Sequence, residues 1–293
     1  MSVAVMTDSG SGISPEESRE LGIQVIPMPF QMGDVLYRED VTITRDEFFR
    51  KLAAGETVST SQPSPSTLTT AWNAALKDHD EVLYIPLTSG LSSTYENAHM
   101  LSQDEHFGGR VHVCDARGVS AVLSMICEDA IRLADDGRSA AQIARTIEGN
   151  AGRNSIYIFM DTLEYLRRGG RITRPAAAFA SFLHIKPILK IENGSHLDIF
   201  SKGRTGHKCR EAMIRQLHVD LETKFRDPDA KHCHLGVAYS SSLEDAKNFE
   251  KEIADSFPNR KYRDLVVKPL SLMICCHIGP GALGCGFYCP VED

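Results

Sequence analysis

The sequence predicts an α/β protein of two domains: an N-terminal parallel-sheet domain carrying a small β appendage, and a C-terminal domain of mixed α+β character. Three observations carry this expectation. Up to about residue 150, short apolar runs alternate with amphipathic helical segments, the pattern of a parallel sheet covered on both faces. Beyond it, Asn193-Gly194 sits between two strand-like runs, a hairpin signal foreign to a purely parallel sheet. The chain's 293 residues also reach the length at which single cores stop growing. The expected division is 1–150 and 151–293, with the appendage at about 22–58.

The elements follow in order. Residues 3–7 (VAVMT) form an apolar run ending at Asp8-Ser9-Gly10. Ser14, Pro15 and Glu17 then open a helix: Ser14 fits the N-cap, Pro15 the first helical position, and Glu17 completes a capping box. The extended stretch IQVIPMPFQM carries Pro27 and Pro29, which confine it to an edge strand or a small β appendage. VLYRED reads as a strand, and Thr44 caps a helix closed by Gly55. TVSTSQPSPS is polar and non-periodic, hence a loop. It is followed by helix STLTTAWNAALKD, strand EVLYIPL, turn TSGLSS, helix STYENAHMLSQ, strand RVHVCDA, and helices over roughly 119–136 and 139–149. The second half reads as strand SIYIFM, helix LEYLRR, Gly169-Gly170 and a small-residue helix RPAAAFASFLH. The hairpin IKPILKIENGSHLDIFSK comes next, then a helix near 206–225, strand HLGVAYS, helix SLEDAKNFEKEIADSF, strand RDLVVKPL and a last strand in GALGCGFYC.

Composition narrows the function classes. A hydrophobic content of 42% excludes wholesale disorder, and a net charge of −7 argues against a nucleic-acid-coating surface. No apolar run is long enough to span a membrane, and MSVAVMTDSG has neither a basic start nor an apolar core, so no signal peptide is expected. A cytoplasmic location follows, with the eight cysteines as reduced thiols; none forms a CxxC.

Polar loops at the carboxyl ends of parallel strands are where open α/β sheets hold ligands. Asp8-Ser9-Gly10, Thr60-Ser61-Gln62 and Thr88 through Thr94 qualify. The last lies between a strand and a helix, so hydroxyls and backbone N–H groups can converge there on an anion, although a run of helix caps has the same composition. After Gly169-Gly170, Arg171 can turn inward to a carboxylate or phosphate, or lie on the surface beyond a glycine C-cap. His277, before Gly279-Pro280-Gly281, can hydrogen-bond an acid, act as a base, or be a satisfied core histidine. Two other patterns fail. Gly279, Gly281 and Gly284 spell G-x-G-x-x-G, but too little chain follows for a dinucleotide-binding unit. His232-Cys233-His234 places its histidines and cysteine on opposite sides of a strand, and no partner CxxC completes a zinc site, so no metal and no cofactor are expected.

Taken in register, the motifs resemble one family. They are Asp8-Ser9, Ile26-Pro27, Thr60-Ser61-Gln62-Pro63-Ser64, Leu91-Ser92-x-Thr94-Tyr95, Leu163-Glu164-Tyr165-Leu166-x-x-Gly169-Gly170-Arg171-Ile172, Ile185-Lys186-Pro187-Ile188, Lys202-x-Arg204 and His277-x-Gly279-Pro280-Gly281-Ala282-Leu283-Gly284. In this order they are similar to the DegV family of bacterial fatty-acid-binding proteins, over about residues 3–288. The resemblance implies two α/β domains with one long-chain fatty acid between them. It implies a carboxylate held by Thr60 and Ser92, with Ser61, Ser93, Arg171 and His277 supporting the head group. It further implies a non-enzymatic carrier that presents the acid to a separate ATP-dependent fatty-acid kinase for acyl-phosphate formation and phospholipid synthesis. Two departures stand out: Ser93 replaces the family's usual glycine, and His184 stands where asparagine is common. The reading from a different class is a serine hydrolase or acyltransferase with Ser92 as nucleophile, His277 as base and Asp115 orienting it. Against it, Thr94 replaces the last glycine of a nucleophile elbow.

Overall fold

The computed structural model describes residues 2–39, 41–173, 185–191 and 196–291. β1 (Val3–Asp8) starts a sheet whose strand order is β2-β1-β6-β7, with β2 (Gln24–Ile26), β6 (Glu81–Ile85) and β7 (Val111–Val113) all parallel to their neighbours. Between β1 and β2 runs α1 (Pro15–Leu21), opened by the expected capping box: Ser14 Oγ accepts the Glu17 N–H while the Glu17 carboxylate accepts that of Ser14.

The proline-bearing stretch divides between two sheets. β2 is an edge of the parallel sheet; past Pro27 the chain leaves and β3 (Pro29–Met32) becomes the centre of a three-stranded antiparallel sheet with β4 (Val35–Arg38) and β5 (Val58–Thr60). β5 corrects the loop reading of TVSTSQPSPS. Its polar composition hides a cross-strand partner: Phe30 to Met32 pair with Thr60 to Val58, so Thr60 ends a strand rather than floating in a loop. α2 (Arg45–Ala53) covers this appendage, burying Phe48 and Leu52. Two polar ties hold the appendage to the C-terminal half. The Arg45 guanidinium donates to the carbonyls of Ser240 and Leu270, and Glu39 accepts the Leu272 N–H at 2.7 Å.

α3 (Pro65–Ala75) and α4 (Thr94–Ser102) flank one face of the parallel sheet, where Trp72 and Tyr84 are fully buried. α5 (Ser120–Asp135) and α6 (Ala140–Gly149) lie on the other face. α5 is buried almost all round. It packs on β1 and α6, and also on strands of the second sheet.

That second sheet has the order β10-β9-β8-β13-β11-β12, built from β8 (Asn154–Phe159), β9 (Lys186–Ile191), β10 (Asp198–Gly203), β11 (His234–Tyr239), β12 (Val266–Pro269) and β13 (Leu283–Tyr288). It is mixed, as expected: β9 and β10 pair antiparallel, while β11 and β12 are parallel. The hairpin's Asn193-Gly194 turn and the small-residue helix over 174–184 lie outside the described residues. α7 (Glu164–Gly169) follows β8; α8 (Gly206–Thr223) and α9 (Leu243–Ser256) cover the sheet's outer face. A short helix not anticipated from the sequence, α10 (Leu272–Ile278), packs against α7 and the appendage. Its segment SLMICCHI is so uniformly apolar that no helical period shows. It is buried on nearly every side.

The expectation of eight free thiols fails at one pair. Cys233 and Cys289 form a disulfide, while the other six cysteines are free and buried. The β11–β13 register, which places His234 opposite Tyr288, brings Cys233 opposite Cys289 one step further out. A pairing between residues 56 apart in sequence emerges only once the strands are aligned. Among the described residues, no helix is long and apolar enough to cross a membrane, and no cluster of metal-ligating side chains occurs.

Candidate functional site

A cavity of about 310 Å³ lies where the appendage, the first turns of α5, the α10 helix and the inner face of the six-stranded sheet meet. Thr60, Ser61, Ser92, Ser93, Arg171 and His277, which the sequence singles out from four separate segments, all line it. Much of the remaining wall is apolar, including Met28, Leu87, Leu166, Ile158 and Ile274.

Each polar group is placed by its element. β5 delivers Thr60, whose Oγ1 lies 2.8 Å from His277 Nε2 at the carboxyl end of α10. The imidazole lies flush on the Gly169 backbone: a β-carbon there would sit 2.0 Å from Nδ1, so only glycine leaves the ring its place. Nδ1 is buried without a hydrogen-bond partner. Burial, with the Arg171 guanidinium beside it, pushes the His277 pKa down to about 4, so the ring is neutral at pH 7.

Ser92 sits in the turn before α4. Its Oγ accepts the Thr94 N–H at 3.3 Å and lies 2.8 Å from the buried Thr94 hydroxyl. Ser93, in place of the family's usual glycine, has φ −78° and is exposed, so its side chain brings no backbone strain. Arg171 spans the two halves of the site, donating from Nε to the Leu91 carbonyl at 3.4 Å and from Nη1 to the Gly169 carbonyl at 2.6 Å. It therefore ties the Ser92 turn to the end of α7. Gln62 and Asn97 join the TSQPS loop to α4 in the same way, at 2.7 Å.

The sequence flags Asp8 within its first polar loop without showing its role, and it misses Ser120 altogether. Asp8 is fully buried beneath the turn and accepts the N–H groups of Gly10 and Leu87; burial pushes its carboxyl up to about 6. Ser120, the first residue of α5, lines the cavity with φ +52° and a buried hydroxyl that has no partner. Nothing in its local sequence flags that conformation. The glycine at 169 was visible as part of a double glycine, but its contact with His277 is made by tertiary packing. Val122 of α5 and Met273 and Ile274 of α10 add to the apolar wall.

The three residues of the hydrolase reading make other contacts: His277 Nε2 lies 2.8 Å from Thr60 Oγ1, Ser92 Oγ lies 2.8 Å from Thr94 Oγ1, and Asp115 Oδ2 accepts from Ser89 at 2.5 Å.

Comparison with known proteins is decisive for kinship. The family described as an uncharacterised protein of the DegV family matches residues 2–289. The chain belongs to the DegV family. A DegV domain-containing protein of Deinococcus radiodurans is 30% identical over 288 residues, covering 97% of each chain. Among solved DegV structures, one from Thermus thermophilus described for its fatty-acid binding superposes with a TM-score of 0.87 at 28% identity, covering 99% of this chain and 100% of the other. DegV of Bacillus subtilis, described as a fatty acid binding protein, gives a TM-score of 0.84 at 26% identity, with 99% of both chains covered. The two-domain α/β architecture expected from the sequence is that of these DegV proteins.

Proposed function

We propose that this DegV protein binds one long-chain fatty acid in the cavity, with its carboxylate at the Thr60–Ser92 end and its chain along the apolar wall. One observation carries the reading: a largely apolar cavity whose polar residues include two hydroxyls, an arginine and a neutral histidine drawn from separate segments. The fatty-acid-binding relatives support it. Two hydroxyls and a guanidinium give a carboxylate the charge-assisted donors it needs away from water.

The hydrogen-bond geometry also suggests how Thr60 serves. We assign the imidazole proton to Nε2, because a proton on Nδ1 would be a buried donor without an acceptor. His277 then donates to Thr60 Oγ1, and the threonine's own proton is left to point at the ligand. Thr94 does the same for Ser92 if its hydroxyl donates to Ser92 Oγ. The chain contributes most of the affinity, at about 0.8 kcal/mol per buried methylene before the cost of ordering it. Ser61 and Ser93, both exposed at the rim, support the head group from outside.

The protein's role in this reading is carriage, with presentation of the acid to an ATP-dependent fatty-acid kinase; a division of the chain near residue 150 separates the two halves that enclose the ligand. Organic extraction of the purified protein followed by mass spectrometry, then titration with a fluorescent fatty acid, tests the binding. About one acid per chain, or saturable uptake displaced by unlabelled acid, is the expected result; neither would end the lipid reading. Kinase presentation is tested separately by adding a cognate kinase with ATP and measuring acyl phosphate. Arg171→Ala is expected to reduce turnover more than ligand retention.

A further inference from the structure

We infer that the methyl end of the bound chain stops at Gly236 and Gly286, and that Met125 above them sets the longest chain accepted. The inference rests on the fatty-acid reading and deepens it. Strand register gives the cavity a direction. On the inner face of the six-stranded sheet, Gly284 lies between Ile158 and Ala238, and one pleat further along, Gly286 lies between Ile156 and Gly236. All six positions line the cavity. The next row on that face, Asn154, Tyr288 and His234, does not line it. There the Tyr288 hydroxyl donates to Asp129 of α5 at 2.7 Å and shuts the space. The polar groups lie at the opposite end, since His277 precedes the turn that leads into β13.

Missing side chains show where α5 comes down on the sheet. A β-carbon on Gly236 would meet Met125 Cε at 2.5 Å and Ala121 Cβ at 3.1 Å beside the Val266 carbonyl at 3.0 Å, and one on Gly286 would meet Val122 Cγ2 at 3.1 Å after the Ser155 carbonyl at 2.6 Å. On Gly284, by contrast, the three nearest atoms all belong to the neighbouring β8 strand. The two rows are about 7 Å apart, so over a single pleat the sheet passes from the Gly284 row, whose nearest atoms are all from β8, to a row roofed by α5. Met125 stands just behind the lining residues Ala121 and Val122, and its long, unbranched side chain places a terminal methyl beside Gly236, in the space a lengthening chain would have to enter.

The test is competition binding of a homologous series of saturated straight-chain acids to the wild type, Met125→Ala and Ile156→Phe. One methylene in an apolar pocket is worth roughly tenfold or more in discrimination. Trimming Met125 is therefore expected to raise affinity for the acid two carbons above the wild-type optimum by about tenfold relative to that optimum. Ile156→Phe, which adds bulk to the same row, is expected to move the optimum to shorter chains, and it decides the matter if Met125→Ala does not fold. A folded Met125→Ala with an unchanged length profile would overturn the assignment while wild-type binding left the fatty-acid reading standing. A wild type that binds no acid in the series would overturn both.

Discussion

The two ends of the cavity are built by opposite means. At the polar end, Thr60, Ser92, Arg171 and His277 are held by named hydrogen bonds: Thr60 and His277 by each other, Arg171 by the Leu91 carbonyl, and Ser92 by Thr94 of its own turn. At the apolar end, what matters is absence: Gly236, Gly284 and Gly286 clear space that any side chain would fill. The difference teaches that orientation and capacity are separable here. Hydroxyls can be lost without altering the space, and the space can be altered without touching a donor.

The largest effect is expected from removing both hydroxyls. Thr60→Ala with Ser92→Ala should weaken fatty-acid binding by roughly 100-fold or more, since hydrogen bonds to a charged group are worth about 1.5–3 kcal/mol each. Calorimetric titration would show this, and thermal unfolding should be little changed; undiminished affinity in the folded double variant would remove the head group from this end. Next is Gly169→Ala. In a helix alanine normally stabilises, but here its β-carbon displaces the His277 ring, so about a tenfold loss of binding is expected. Equal affinity would show that the imidazole does not position Thr60.

A smaller change sharpens the contrast from the wall between the two ends. Ser120 adopts φ +52° with an unpaired buried hydroxyl, so Ser120→Gly should raise stability by about 1–2 kcal/mol in denaturant unfolding. A loss of stability would mean that the serine is paired or required.

The smallest effect is on pH dependence, because two groups oppose each other. The folded pKa of His277, lowered to about 4 from 6.5, leaves the unfolded chain binding more protons between those values, so its contribution to stability falls as the pH drops from 6.5 to 4. The Asp8 value, raised from 3.8 to about 6, leaves the folded chain binding more protons over that range, so its contribution rises as the pH drops from 6 to 3.8. The net slope near pH 5 is expected to be shallow. His277→Gln should make stability increase on acidification through this window, and Asp8→Asn should make it decrease. Urea titrations at stepped pH would reveal either.

Much of the polar end was legible because its chemistry resides in short local motifs: TSQ at 60–62, the Ser92 turn, Gly169-Gly170-Arg171 and His277 each announce themselves in a few residues. The pairing of Thr60 with His277 was not legible, since it joins residues 217 apart through the packing of β5 on α10. The apolar end was nearly silent. Gly284 and Gly286 look like ordinary strand glycines until the β8–β13–β11 register sets them beside Gly236. Composition misled twice, for related reasons: β5 is too polar to resemble a strand alone, and α10 too apolar to show a period.

On the proposed carrier reading, the helix shared by the two sheets bears on how a ligand is exchanged. The two sheets share α5 as a common wall rather than being joined by a slack connector. Prising them apart would strip water-shy side chains such as Val122 and Met125 from the second sheet, at about 1.5–3 kcal/mol for each large one exposed. Such a cost, repeated along the helix, resists separation of the two sheets. On the proposed fatty-acid reading, exchange of the ligand then falls to parts outside this shared core, such as the appendage, which polar ties through Arg45 and Glu39 help to hold like a hasp.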